Sequence, residues 1–469
     1  MTDAALVACP AALPAPETAL DARTRGLIEA PVVPVLLRLA APNVMVMLAQ
    51  AATGLIEAYF VGKLGTDALA GVALVFPGLM LMQMVSAGAM GGGISSAIAR
   101  ALGAGRRADA DAFVAHALAI SLALGGFFSL ALIAGGPWLY RQLGGHGAAL
   151  EAALVYSNVV FAGAILLWVF NTLASVLRGT GNMLFPAAVI CVGAVLLVPL
   201  SPALIFGWGP FPRLGVAGGG TAIVAYYAVG TAVLAAYIRS GRSVLRPKLR
   251  VRLRWPMFRE ILQVGAVAAL TSLLTNLTIG ITTGLVGAHG PAAIAGFGVG
   301  SRLEYLLVPL AFGLGAPLVA LVGTNIGAGR HDRALRIAWI GAAVAFALTE
   351  AIGLLGAAFP EAWLTLFDRD PAMLAAGTAY LRAVGPFYGF FGLGLALYFA
   401  SQGAGRLAWP LIAGLVRLAI AVGGGWLMLR WTGDLASVFL ALGLGLVAYG
   451  VIIAAAVKAG VWFPRRGTN

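Results

Sequence analysis

The chain has 469 residues, 61% of them hydrophobic and 10% charged, with a formal net charge of +13 and a mean hydropathy of +0.96. No soluble domain sustains that hydropathy over such a length, so the composition excludes a water-soluble globular protein and points to a polytopic membrane protein. Two isolated cysteines, Cys9 and Cys191, exclude a disulfide framework or a cysteine metal cluster, and His116, His146, His289 and His331 have no spacing that suits zinc.

Taken in chain order, residues 1–34 are Ala- and Pro-rich with scattered charge and predict a disordered cytoplasmic tail. They lack a basic start followed by an apolar core, which argues against a cleavable signal, and Asp3 before Cys9 argues against lipidation there. Twelve apolar segments follow, near 35–61, 68–98, 110–135, 150–176, 183–207, 217–238, 260–286, 292–322, 336–358, 373–400, 408–429 and 435–457. Each is long enough to cross the roughly 30 Å hydrocarbon layer as a helix, whereas a membrane barrel would show weak alternating segments of about ten residues. The fold class is therefore an all-α membrane protein of twelve transmembrane helices.

Lys and Arg are sorted by loop. The terminal tails and even-numbered loops hold 22 of the 30, including Arg100, Arg106, Arg107 and the block Arg239–Arg259; the odd-numbered loops hold only Lys63, Arg141, Arg213, Arg369 and Arg430. This bias predicts both termini in the cytoplasm, as an even number of crossings requires. The hydrophilic stretch 240–259 reads as a basic cytoplasmic linker lying near anionic lipid headgroups, with no nucleic-acid partner implied.

The chain repeats itself at an offset of about 225. "VGKLGTDALAG" (61–71) meets "VGAHGPAAIAG" (286–296), "LGAGRRADA" (102–110) meets "IGAGRHDRA" (326–334), Tyr156 meets Tyr380, and "RGTGN" (178–182) meets "QGAGR" (402–406). Six crossings per half is an even number, so the halves enter the membrane with one orientation. They should be parallel six-helix repeats around a central cleft, suited to alternating access. The expected units are a tail (1–34), a first lobe (35–239), the linker (240–259), a second lobe (260–458) and a tail (459–469). Gly62, Gly65, Gly103 and Gly105 and their counterparts Gly287, Gly290, Gly327 and Gly329 mark segment ends, where turns need positive φ or close approach. "GAMGGG" (88–93) reads as a helix-packing stripe. Pro199, Pro202, Pro309, Pro317 and Pro386 predict kinks.

Carboxylates within or at the edge of crossings are few: Glu57, Glu304, Glu350 and Glu151 at a mouth. A charge at mid-bilayer costs at least about 2.5–3.5 kcal/mol, so such groups face a cavity or a partner. Glu57 is read as an ion-coupling acid, against a snorkelling acid near Lys63. Glu304 is read as a cleft residue, against a buried structural ion pair, and Arg302 lies on a different face of the same helix. Glu350 reads as a pore-lining or packed acid with a local partner. Aromatic and polar side chains suited to amphipathic ligands are Gln50, Tyr59, Asn171, Asn276, Tyr305, Tyr388 and Gln402. The alternative for each is helix packing.

The paired GAGR loops, the RG-x-G and QG-x-G pair and the six-plus-six plan resemble the multidrug and toxic compound extrusion (MATE) transporters. "GSRLEYLLVPLAFGLGAPLVALVGTNIGAGR" (300–330) is similar to that family's eighth helix and following loop, and "GVAGGGTA" (215–222) to the start of its sixth. The resemblance runs from about residue 35 to 455 and implies export of organic cations or other amphipathic compounds, driven by proton or sodium entry. It also implies an acid at Glu57, where members usually carry Asp. In many members an N-x-x-x-D-P pattern on the fifth helix completes the cation site; here Leu197 and Ser201 stand at those two positions, and the GQN loop motif reads Gly323, Thr324, Asn325. A sodium site of several oxygens is thereby disfavoured relative to a lone protonatable Glu57.

No G-x-x-x-x-G-K-[ST] motif occurs, so the energy must come from a gradient. The reading is a secondary antiporter with no cofactor, no metal and no catalytic residues, acting on small amphipathic or cationic substrates as a monomer in the bacterial inner membrane. The alternatives are a flippase for a lipid-linked precursor, a passive channel that counterflow would separate from a carrier, and an intramembrane acyltransferase that would need a His or Asp cluster.

Overall fold

The computed structural model describes residues 20–248, 251–287 and 289–463, apart from the side chains of Leu55, Tyr305, Leu306, Val308 and Pro309. Among these every regular element is a helix. The first half comprises α1 (Ala22–Glu29), α2 (Val32–Gly62) and α3 (Thr66–Gln83), which runs through a π-helical segment (Met84–Met90) into α4 (Gly91–Gly103). It continues with α5 (Arg107–Gln142), α6 (Gly147–Ala162), α7 (Ala164–Gly179), α8 (Leu184–Phe206) and α9 (Val216–Arg239). The second half comprises α10 (Trp255–Gly287), α11 (Pro291–Gly327), α12 (His331–Ala358), the short α13 (Pro360–Leu364) and α14 (Pro371–Val384). A 3₁₀ turn at Gly385–Phe387 leads into α15 (Tyr388–Ala404); α16 (Ala408–Leu418) passes through a second π segment (Ala419–Gly424) into α17 (Gly425–Thr432), and α18 (Leu435–Lys458) follows.

Among the described residues eleven helical stretches are long and apolar enough to span a bilayer, and the bent pair α6–α7 makes a twelfth. The fold is thus two parallel six-helix bundles around a central cleft. The fourth crossing departs from the uninterrupted segment expected at 150–176. It bends by 48° at Gly163, where a Cβ would overlap the Val224 side chain of α9. The break at Pro386 falls where a kink is expected, because proline removes a helix donor.

Two of the expected units differ in the structure, the N-terminal tail and the linker. Residues 1–19 of the expected N-terminal tail, with Cys9, lie outside the described residues, but 22–29 form α1. Asp21 caps it by accepting from the Arg23 N–H, and Leu27 and Ile28 are buried. The second half begins earlier than expected, since α10 starts at Trp255 inside the expected linker; Leu249 and Arg250 lie outside the described residues. In the C-terminal tail Trp462 is buried and donates to Ser401 Oγ at 3.2 Å, while 464–469 lie outside the described residues.

The repeat is visible as pairs of matching close approaches. In a bilayer, helices gain little from burying apolar surface against one another, so small residues that admit close packing hold the bundle. A Cβ on Gly71 would strike Ala152 and the Ala153 backbone, and one on Gly296 would strike Ala376 and the Gly377 backbone. Gly179 abuts Ser95, and Gly403 abuts Val319. Across the interface Gly103 abuts the Thr324 carbonyl and Gly327 abuts the Arg100 carbonyl, a reciprocal contact with each partner displaced by 224 positions. Gly65 and Gly290 (φ 124° and 96°) and Gly105 and Gly329 (φ 71° and 70°) hold matching left-handed turns that other residues strain to adopt.

The halves interlock. Leu27, Leu36 and Ala40 join the buried core of the second half, while Met257 and Ile261 of α10 join that of the first. One end of the molecule gathers α1, the 104–106 and 328–330 loops and the 240–254 segment. There Arg107 donates to the Val244 carbonyl, Arg333 to the Ala30 carbonyl, and His116 Nε2 accepts from the Arg254 N–H at 2.9 Å. Asp111 Oδ1 accepts from the Arg246 N–H at 2.7 Å. The same end is closed by Arg100, whose guanidinium pairs with Glu260 at 2.9 Å and donates to the Gly403 carbonyl at 3.0 Å.

Candidate functional site

Glu57 lies one turn before the end of α2, on a helix of 31 residues, about 46 Å long and therefore longer than the hydrocarbon layer. The buried Tyr156 of α6 donates its hydroxyl to Glu57 Oε1 at 2.6 Å. This is a short hydrogen bond of the kind made to an ionisable acceptor. Gly219 at the start of α9 leaves room, since a Cβ there would lie 3.5 Å from Oε1, and Tyr227 on the same helix is within electrostatic reach. The carboxyl group therefore faces into the first bundle, among α2, α6 and α9, and not toward Lys63. Lys63 Nζ instead sits over the Tyr59 ring, 4.6 Å from its centroid. Among the described residues Glu57 forms no ion pair. An acid with one neutral donor and no counter-ion can gain or lose a proton without breaking a salt bridge, which suits exchange. Leu197 and Ser201, at the two positions that complete a cation site in many MATE transporters, are both buried on α8.

A second polar layer lies where the halves meet. Asn171 of α7, buried, donates to Gln83 Oε1 at 3.2 Å and to Ser86 Oγ at 2.8 Å. These acceptors flank the start of the first π segment, so Asn171 serves to satisfy polar groups inside the first half. Asn276 of α10 donates back to the Ser272 carbonyl at 2.9 Å and reaches Met84 Sδ at 3.9 Å across the interface. Gln402 is completely buried at the end of α15. Its Nε2 reaches the Gly88 carbonyl at 3.5 Å, its Oε1 lacks a partner among the described residues, and the side chain fills the space left by Gly92. Gln402 is therefore a contact between the two halves.

A cavity in the second half, open at its mouth, brings together Glu304, Arg417, Tyr380, Ser301, Thr278 and Thr282. Tyr388, buried behind it, donates to Tyr380 Oη at 3.4 Å. The remaining candidates are not drawn into either site. Gln50 and Tyr59 are exposed on α2, Arg302 points outward over the Phe367 ring at 5.5 Å, and the side chain of Tyr305 lies outside the described residues. Glu350 of α12 accepts from the Gly389 N–H at 2.6 Å, tying α12 to α15. The sequence reading missed the Glu57–Tyr156 and Arg100–Glu260 pairs and the part played by Arg417. The one available signal was the matching of Tyr156 with Tyr380 in the repeat.

Comparison with known proteins agrees with this architecture. The MatE family model matches residues 42–203 and 268–427. A FAD transporter of Shewanella oneidensis is 28% identical over 401 residues, 84% of this chain and 87% of that protein. A probable multidrug resistance protein NorM of Thermotoga maritima is 25% identical, covering 80% of this chain and 81% of that one. Among solved structures, an outward-facing multidrug resistance MATE family transporter superposes with a TM-score of 0.84 at 23% identity, over 94% of this chain and 99% of that chain. A MATE in its bent conformation gives 0.86 at 24% identity, over 94% and 99%. Two matched halves, the twelve-helix bundle and the glycine-paired repeat place the chain in one family: it belongs to the MATE transporters.

Proposed function

We propose that this membrane protein is a proton-coupled exporter of small amphipathic or cationic compounds, with Glu57 as the coupling acid. The observation that carries the reading is the 2.6 Å hydrogen bond from Tyr156 to a Glu57 carboxyl group that has no ionic partner among the described residues. In the proposed cycle Glu57 is ionised while substrate binds from the cytoplasm. Protonation from outside then favours substrate release, and the lobes at 35–239 and 260–458 rock back. Both termini are cytoplasmic in this reading, supported by the Lys and Arg bias and by the gathering of α1, the linker segment and the GAGR loops at one end, in the inner membrane of a bacterium. One proton moving through 100 mV supplies about 2.3 kcal/mol, enough to sustain roughly a fifty-fold gradient of a neutral substrate.

The test is efflux of a fluorescent organic cation from proteoliposomes under an imposed proton gradient or an imposed sodium gradient, with the parent protein and Glu57→Gln. The reading expects transport driven by protons in the parent and lost in the variant. Transport driven by sodium alone, or equal in the two proteins, would overturn it.

A further inference from the structure

The second-half cavity is the structural counterpart of the Glu57 site. Thr282 stands 225 positions after Glu57, Tyr380 stands 224 after Tyr156, and Leu446 stands 219 after Tyr227. The last offset is that of the matched contacts Gly163 with Val224 and Phe387 with Gly443. At this place the acid has moved from the first helix of the half to Glu304 on the second. Arg417 has entered from α16 at the position where the first half has Gly193, 224 residues earlier.

Three observations point to a ligand. Arg417 rests over the rings of Phe391 and Tyr449, 5.5 and 5.7 Å from their centroids, and among the described residues it forms no ion pair although Glu304 lines the same cavity. Of the five threonines on α10, Thr271, Thr275, Thr278 and Thr283 donate to the carbonyl four residues earlier. Thr282, fully buried and lining the cavity, has no partner for its hydroxyl among the described residues. The remaining wall is apolar, with Phe297, Val384, Leu442 and Leu446.

We propose that this cavity takes the carboxylate of an amphipathic organic acid on Arg417 and Thr282, and that the anion enters when Glu304 carries a proton. A guanidinium is always charged and presents a fork of donors that matches a carboxylate. An ionised Glu304 would cancel that charge and repel the incoming anion, whereas a neutral Glu304 offers a donor. The groups facing Glu304 are Arg417 from α16, Tyr380 from α14, Thr278 and Thr282 from α10 and Ser301 on its own helix, with Tyr388 of α15 behind Tyr380 and Tyr449 of α18 beneath Arg417. Anion binding therefore falls as pH rises and Glu304 ionises. The inference rests on the transporter reading only in taking the acid to be cargo.

The experiment measures equilibrium binding of dansylglycine and of its methyl ester to the purified protein at pH 6 and pH 8, with no gradient imposed, so the result does not depend on whether Glu57 couples transport. The parent protein should prefer the acid over the ester by about tenfold at pH 6 and lose most of that preference at pH 8. Arg417→Met should abolish the preference at both pH values, Arg417→Lys should keep part of it, and Glu304→Gln should keep it at both. Circular dichroism and a monodisperse elution profile establish that each variant is folded. Equal binding of acid and ester to the parent, no binding of either, or a preference that survives in folded Arg417→Met would overturn the proposal.

Discussion

The two halves share a backbone plan and differ in the chemistry placed at equivalent points. In the first, α2 carries an acid, Glu57, held by one tyrosine and facing no cation among the described residues. In the second, the equivalent helix carries Thr282, and Glu304 shares its cavity with Arg417. A lone acid in an apolar bundle can switch its charge with no cation to oppose it, whereas an acid beside a guanidinium switches the net charge of a site that already holds a permanent cation. In the proposed account the first half exchanges the coupling proton through Glu57, and the second offers Arg417 to an anion. At the closed end the relationship is the opposite, because Gly103 and Gly327 make the same contact from either side.

The largest expected effect follows from the unlike pair. Glu57→Gln should lower gradient-driven efflux at least tenfold while Thr282→Val changes it no more than two- to threefold, as read in proteoliposomes. Similar losses in both would remove the asymmetry. Next come the like pair. Valine at position 103 or at 327 would place side-chain atoms inside a backbone carbonyl contact, where overpacking costs about 1–3 kcal/mol. Gly103→Val and Gly327→Val should lower thermal stability by similar amounts; a loss in one alone would show that the pseudo-symmetric contact is not equivalent.

A smaller effect is expected at the end that Arg100 closes. Arg100→Leu leaves Glu260 and the Gly403 carbonyl without this donor, so the halves should separate there more readily. Spin labels at exposed positions on the 104–106 and 328–330 loops should report a longer mean distance than in the parent, and an unchanged distribution would mean that glycine packing alone holds the end shut. The smallest effect is expected for the tyrosine pair. Tyr156→Phe removes the hydrogen bond to Glu57 and should slow coupled efflux several-fold, whereas Tyr380→Phe should leave organic-cation efflux nearly unchanged.

Much of the fold was legible in the sequence, because a bilayer demands long apolar helices and a repeat shows itself wherever glycine is required. The GAGR loops returned in register since Gly105 and Gly329 both occupy left-handed turns. The bend at Gly163 was not legible: no proline marks it, and the glycine there packs against Val224 on a helix some sixty residues away. The site was half legible. Glu57 stood out as a carboxylate in an apolar run, but its partner Tyr156 lies 99 positions away, and nothing local to either residue encodes the meeting. Gln402 and Asn171 looked like ligand contacts because polar side chains in apolar segments suit amphipathic ligands; Gln402 finds space over Gly92, and Asn171 finds Gln83 and Ser86. Arg417 was passed over, since only the three-dimensional arrangement brings it to Glu304.

The most direct test of the central assignment is proton release on substrate binding, followed with a pH indicator in weakly buffered detergent solution with the purified protein. If Glu57 exchanges its proton for substrate, the parent should release protons in proportion to the sites filled, and Glu57→Gln should bind the same organic cation without releasing them. Equal release by the two proteins would contradict the account and move the coupling acid elsewhere.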